Sequence, residues 1–197
     1  MWRIGHITTA IVNREQILRR RIKLVTWLFI IGLVLSGATA IPLVSEVNSL
    51  VKVTGAQQLI EKPASTGPPA WALWLTKVQA ALRDTSVRHP FLFYGTDWLA
   101  FGHFVIAISF VGALRDPVGN RWLFTFGLIA CALVVPYALV FGELRGIPFW
   151  WRVIDCSFGV FGFIPLWFCR RWVRELTAAY RATVRPLDLA EETTKKA

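Results

Sequence analysis

The sequence predicts an all-α polytopic membrane protein: four transmembrane helices in an antiparallel bundle, with a short helical cap on the outer side. Three observations predict it. Four apolar stretches, residues 25–41, 91–114, 122–141 and 150–169, run through the chain, and a helix needs about 20 mainly apolar residues to cross the hydrocarbon core. Only a helix or a closed barrel satisfies the backbone polar groups in that medium. The basic residues also gather on one side of these stretches. Arg3, Arg14, Arg19, Arg20, Arg21 and Lys23 precede the first; Arg115 and Arg121 bracket the link between the second and third; Arg170, Arg171 and Arg174 follow the fourth. This positive-inside pattern predicts both termini in the cytoplasm.

Composition agrees. A hydrophobic share of 55% and a mean hydropathy of +0.50 exclude an ordinary soluble domain. The net charge of +10 would suit nucleic acid, but its placement beside the spans assigns it to topology and to anionic lipid headgroups. The expected surroundings are therefore the lipid bilayer and other membrane subunits or further copies of the chain, with no nucleic acid. Cys131, Cys156 and Cys169 lie in or at the end of spans without CxxC spacing, which suits small buried residues and not a disulfide framework.

Each element follows in order. Residues 1–24 form a basic amphipathic segment whose Ile11, Val12, Ile17, Leu18 and Ile22 fit a helix lying on the inner surface or running into the first span. That span, with its basic approach and its Ala38-Thr39-Ala40 end, resembles a secretory signal, and Arg19–Leu24 hints at a twin-arginine signal. The long segment before it and the three spans after it favour an uncleaved anchor. Pro42 ends it. Residues 42–90 face outward as two short helices. The first, about 44–59, sets Val47, Leu50 and Val51 on one side; the second, about 70–84, does the same with Trp71, Trp74, Leu75, Val78 and Leu82. The breaker from Pro63 to Pro69 separates them. The tryptophan-bearing helix suits the membrane interface, with a lid or docking surface as the alternative. Residues 115–121 make a tight inner turn and residues 142–149 a tight outer one, so the last three spans are antiparallel neighbours. In the tail, residues 170–197, the helix is expected to continue to about Arg185 and disorder to follow from Pro186.

Ionisable groups at membrane depth are costly and therefore candidates for function. Asp97, Glu143, Arg145, Arg152 and Asp155 all fall within about two helical turns of the outer boundary. They form either an ion-pair network clipping spans together or an outward-facing polar pocket. Arg152 and Asp155, three apart, are expected to face each other, and Asp155 shares a stripe with Gly159 and Gly162 that marks a helix contact. His103 lies in mid-span with Thr96, Ala100 and Ala107 on its face. It is either a neutral histidine bonded across a helix contact, or a proton relay or a haem or quinone ligand. Bis-histidine ligation would need a second membrane histidine, and neither His6 nor His89 is one. Zinc and di-iron sites want more His and Glu at helical spacing, so no metal and no cofactor is predicted. No serine carries a triad pattern, so catalytic residues are not identified. Gly95, Gly102 and Ser109 repeat every seventh residue as a packing seam. Trp98, Trp122, Trp150, Trp151 and Trp172 read as interface anchors, with quinone or sterol stacking as an alternative for Trp150 and Trp151.

The wording of residues 94–103 (Tyr-Gly-Thr-Asp-Trp-Leu-Ala-Phe-Gly-His), of Arg115-Asp-Pro117 with Asn120-Arg-Trp122, and of residues 142–148 through 154–159 resembles an uncharacterised group of small bacterial four-span inner-membrane proteins. That resemblance covers the last three spans and implies a membrane architecture, with no activity attached. The four-span size is also similar to DoxX-type proteins and vitamin K epoxide reductases, but the CxxC pair of the latter is missing. The leading functional expectation is an accessory or scaffold subunit; the alternative is a small membrane enzyme or carrier using the polar pocket, with haem or quinone binding at His103 as a third. The topology itself is testable: alkaline phosphatase inserted between residues 62 and 68 should be active on the outer side of the membrane, whereas the same enzyme fused after Ala197 should be inactive.

Overall fold

The computed structural model describes residues 2–62 and 67–195, with side chains over 13–62 and 67–179. Residues 63–66 of the expected breaker and the side chains of Arg3 and His6 lie outside the described residues. The described elements are helical: α1 (Trp2–Ala40), α2 (Leu43–Thr54), α3 (Ala56–Glu61), α4 (Ala70–Arg88), a 3-10 turn (Pro90–Phe93), α5 (Tyr94–Arg115), α6 (Arg121–Leu144) and α7 (Phe149–Lys195). Four segments, Asn13–Ala40, Pro90–Arg115, Arg121–Leu144 and Phe149–Ala179, are long and apolar enough to cross a membrane. The protein is all-α and multi-pass. The N-terminal amphipathic segment and the first span are one continuous helix, the second of the two expected arrangements. The chain forms two compact units, residues 1–31 with 108–197, and residues 32–107.

In the first unit, segments of all four long helices pack together. Leu18, Ile22, Thr26 and Ile30 make a buried stripe at every fourth residue of α1, the spacing that puts side chains on one face. Phe110 of α5 joins the layers: its ring lies 4.8 Å from Phe29 and meets Phe124 edge-on at 6.2 Å. Outward side chains such as Leu28 and Phe161 are exposed and apolar, as lipid requires. The hydrophobic effect gives helices in lipid little reason to associate, so close contact must supply the attraction. α6 and α7 achieve it with glycine. A Cβ at Gly127 would lie 2.7 Å from Leu166 Cδ1, one at Gly159 would lie 2.6 Å from the Cys131 carbonyl oxygen, and one at Gly162 would lie 2.8 Å from Cys131 Sγ. The stripe below Asp155 is thus a helix–helix contact.

Both turns of this unit are built by local chemistry. In the inner turn Asp116 Oδ1 accepts from the Val118 and Gly119 amides at 3.1 and 3.0 Å. Asn120 Nδ2 donates back to the Gly112 and Asp116 carbonyls at 3.2 and 2.9 Å. In the outer turn Gly146 takes φ +68. Its amide bonds the Glu143 carbonyl and that of Ile147 bonds the Gly142 carbonyl, each at 2.9 Å. These bonds satisfy the orphan carbonyls at the end of α6 by the Schellman pattern. Disorder was expected from Pro186, but α7 continues to Lys195. Leu187, Leu189, Ala190, Glu191 and Glu192 are helix formers, and extending an existing helix avoids the cost of a new nucleus.

In the second unit the expected single helix over residues 44–59 is interrupted. Gly55, at φ +66, ends α2 and opens α3. The bend brings Val51 and Ala56 together with Ala72 and Leu75 of α4, flanked by Val47 and Ile60. Leu50, expected beside Val51, is 43% exposed, because the Val47–Val51 row faces α4. Asn48 fixes the pairing of α2 and α4: its Oδ1 accepts from Gln79 Nε2 and Arg83 Nε, both at 2.9 Å. Within this unit α1 meets α5 at Gly37, whose Cβ would lie 3.0 Å from the Ala100 carbonyl oxygen and from His103 Cβ.

Glycine packing gives a direct test. Gly159→Ala places a methyl against the α6 backbone, which does not yield as a side chain would. It should cost about 1–3 kcal/mol, read as a lowered melting temperature in detergent micelles. Gly102→Ala, where a Cβ meets nothing within 4 Å, should leave the melting temperature unchanged or slightly raised.

Candidate functional site

The best-defined polar arrangement at membrane depth centres on Arg152, in the first turn of α7. Gly142 makes room for it: a Cβ there would lie 2.5 Å from Arg152 Cδ. Across this gap Arg152 Nη1 donates to the Leu139 carbonyl at 3.2 Å and pairs with the Glu143 carboxylate. The guanidinium also sits 5.5 Å from the Phe149 ring centroid, within cation–π reach. The Arg152 side chain is 12% exposed and that of Glu143 71%. That asymmetry ranks the contributions. A pair with an exposed carboxylate contributes about 0–1 kcal/mol, so the carbonyl bond, the aromatic face and the packing along Gly142 do most to hold the arginine. Its Nε is buried without a partner among the described residues.

The expected pairing of Arg152 with Asp155 is not formed. Arg152 reaches across to α6, where a carboxylate and a carbonyl both accept, instead of along its own helix, where an i,i+3 contact offers a single weak pair. Asp155 is half-buried and makes no hydrogen bond or ion pair among the described residues. Arg145 lies exposed in the outer turn. Asp97, in the first turn of α5, is exposed and belongs to the second unit. Of the five residues, then, a direct contact joins Glu143 and Arg152.

His103, also in the second unit, is half-buried. Its Nδ1 lies 2.8 Å from the Leu99 carbonyl oxygen. A carbonyl only accepts, so Nδ1 carries the proton and the neutral ring leaves Nε2 as its free acceptor. Nε2 is the atom through which a ligand or relay would act. Ala100 and Ala107, on the same face, are buried and Thr96 donates its hydroxyl to the Phe93 carbonyl at 2.7 Å. The small residues there let α1 approach at Gly37, as the sequence pattern anticipates. On the other side of α5, Gly95 and Gly102 have nothing within 4 Å of a built Cβ.

Sequence reasoning missed two parts of the Arg152 site, the Gly142 cradle and the Leu139 carbonyl. A backbone acceptor carries no residue-type signal. Gly142 could be recognised only once α7 is placed against α6. It also missed Thr26, fully buried on α1 with its hydroxyl beside the Cys169 thiol.

The chain matches no protein-family model, no curated protein and no solved structure.

Removing the two members of the pair should have unequal effects. Glu143→Gln should destabilise by less than about 1 kcal/mol. Arg152→Ala, which also empties the Gly142 channel and frees the Leu139 carbonyl, should cost about 1–3 kcal/mol. Thermal unfolding of the purified variants in one detergent gives the comparison; equal effects would contradict the ranking.

Proposed function

We propose that this membrane protein is an accessory or scaffold subunit of a bacterial inner-membrane complex, with both termini cytoplasmic. The observation that carries the reading is the uncovered row of small residues on α5. The row facing α1 is filled, whereas Gly95 and Gly102 on the other side stand open between apolar side chains, Trp98, Leu99 and Phe101, that are more than half exposed. In lipid such a row is where another helix packs. Exposed Val53 and Val87 on the cap helices, at 84% and 82%, supply apolar surface for the same partners. Resemblance in wording to small four-span inner-membrane proteins supports the membrane location within this reading, and not the role.

A second reading, a small enzyme or carrier, is favoured by Asp155 alone: a half-buried carboxylate in a span with no partner among the described residues is a functional candidate.

Native mass spectrometry of the protein extracted mildly from its own membrane tests both. A scaffold should emerge with other subunits attached, and Gly102→Phe should release them without lowering the melting temperature. A lone protein carrying a small-molecule adduct that Asp155→Asn abolishes would replace the scaffold with the pocket.

A further inference from the structure

At the basic end of the first unit, α6 and α7 enclose a groove of about 400 Å³. Arg121 and Thr125, one helical turn apart on α6, face Arg170, Arg174 and Thr177 on successive turns of α7, with Trp122 at the rim. No carboxylate lines it, and none of the three arginines forms an ion pair among the described residues. A second basic groove of about 360 Å³ lies between α1 and α7, lined by Arg14, Arg21 and Arg171. There Glu175 is part of the wall, 3.4 Å from Arg14 and 3.6 Å from Arg171. Glu175 thus offsets part of the charge of that groove, whereas the first has no counter-charge among the described residues. Three unneutralised guanidiniums converging on one cavity repel one another unless an anion joins them, and guanidinium is the side chain best suited to phosphate oxygens.

We infer that the groove between α6 and α7 binds the headgroup of an anionic membrane phospholipid, with its phosphate between Arg121 and the Arg170–Arg174 pair. A lipid, and not a free phosphate, fits the surroundings. The groove opens where the apolar span of α6 begins, at Arg121. Below it Trp122, Phe126, Ile129 and Leu133 form an outward row on α6, 63%, 39%, 47% and 60% exposed. Their spacing of four, three and four keeps them on one face, along which an acyl chain attached to the bound phosphate would lie. Basic pockets between transmembrane helices are suited to anionic headgroups of this kind. The three charges favour a headgroup with two phosphates, such as a diphosphatidylglycerol, over one with a single phosphate. The inference is independent of the scaffold reading, since it concerns lipid and a different face.

The test is native mass spectrometry of the full-length protein released from nanodiscs of phosphatidylcholine containing one tenth phosphatidylglycerol or one tenth diphosphatidylglycerol. The wild type should retain anionic lipid at least tenfold above its share of the bilayer, and diphosphatidylglycerol more than phosphatidylglycerol. Arg121→Gln with Arg174→Gln should abolish that enrichment, whereas Arg14→Gln with Arg21→Gln, in the groove that Glu175 lines, should leave most of it. Equal loss in both double variants would reduce the effect to general basic charge and overturn the site. Retention of anionic lipid by the wild type in proportion to the bilayer would overturn it without any variant, so a variant that fails to fold does not rescue it. Inorganic phosphate at millimolar concentration raising the melting temperature in micelles as much as diphosphatidylglycerol would overturn the lipid assignment in favour of a soluble anion.

Discussion

Close backbone approach between α6 and α7 is the constraint on which the rest of the first unit depends. Helices surrounded by lipid tails gain little from burying more apolar surface, so this pair must gain from contact distance. Gly127, Gly159 and Gly162 remove the side chains that would hold the helices apart, and Leu166 and Cys131 fill the space directly. Once the axes are drawn together, both ends of the pair acquire a defined chemistry. At one end Gly142 receives Arg152; at the other Arg121 is brought opposite Arg170 and Arg174. The Schellman turn at Gly146 keeps the register by closing α6 before α7 begins.

The two ends handle positive charge differently, and the difference is physical. Arg152 lies nearly buried and is held by groups of the chain itself: a carbonyl, a carboxylate and an aromatic face. Its Nε is left without a partner among the described residues. Arg121, Arg170 and Arg174 converge without a counter-charge among the described residues, beside a neighbouring groove where Glu175 supplies one. A bilayer offers phosphate at the depth where α6 begins, so the environment supplies what the chain does not.

In the second unit the same economy of small residues acts on α5. Gly37 and Ala100 bring α1 onto the face that carries His103, and the Leu99 carbonyl fixes the ring tautomer. The row of Gly95 and Gly102 is left open. One helix therefore presents a satisfied face and an unsatisfied one, and the proposed partner belongs to the second.

The sequence by itself determined the helical class and the four span-length segments, because apolar run length is a one-dimensional property that lipid reads directly. It also made the Gly159–Gly162 contact and the small-residue face of His103 legible, since both follow from helical periodicity within one element. What only the tertiary structure decided depends on which elements meet. Arg152 turned from Asp155 to Glu143 because a neighbouring helix offered more acceptors than its own. Leu50 faced outward because α4 packs against the Val47–Val51 row of α2. Arginines that the sequence places far apart, Arg121 and the Arg170–Arg174 pair, became one groove, while Arg14 and Arg171 of a similar set met Glu175. Charge pairing is settled by distance in space, and no spacing along the chain encodes which helix will stand opposite.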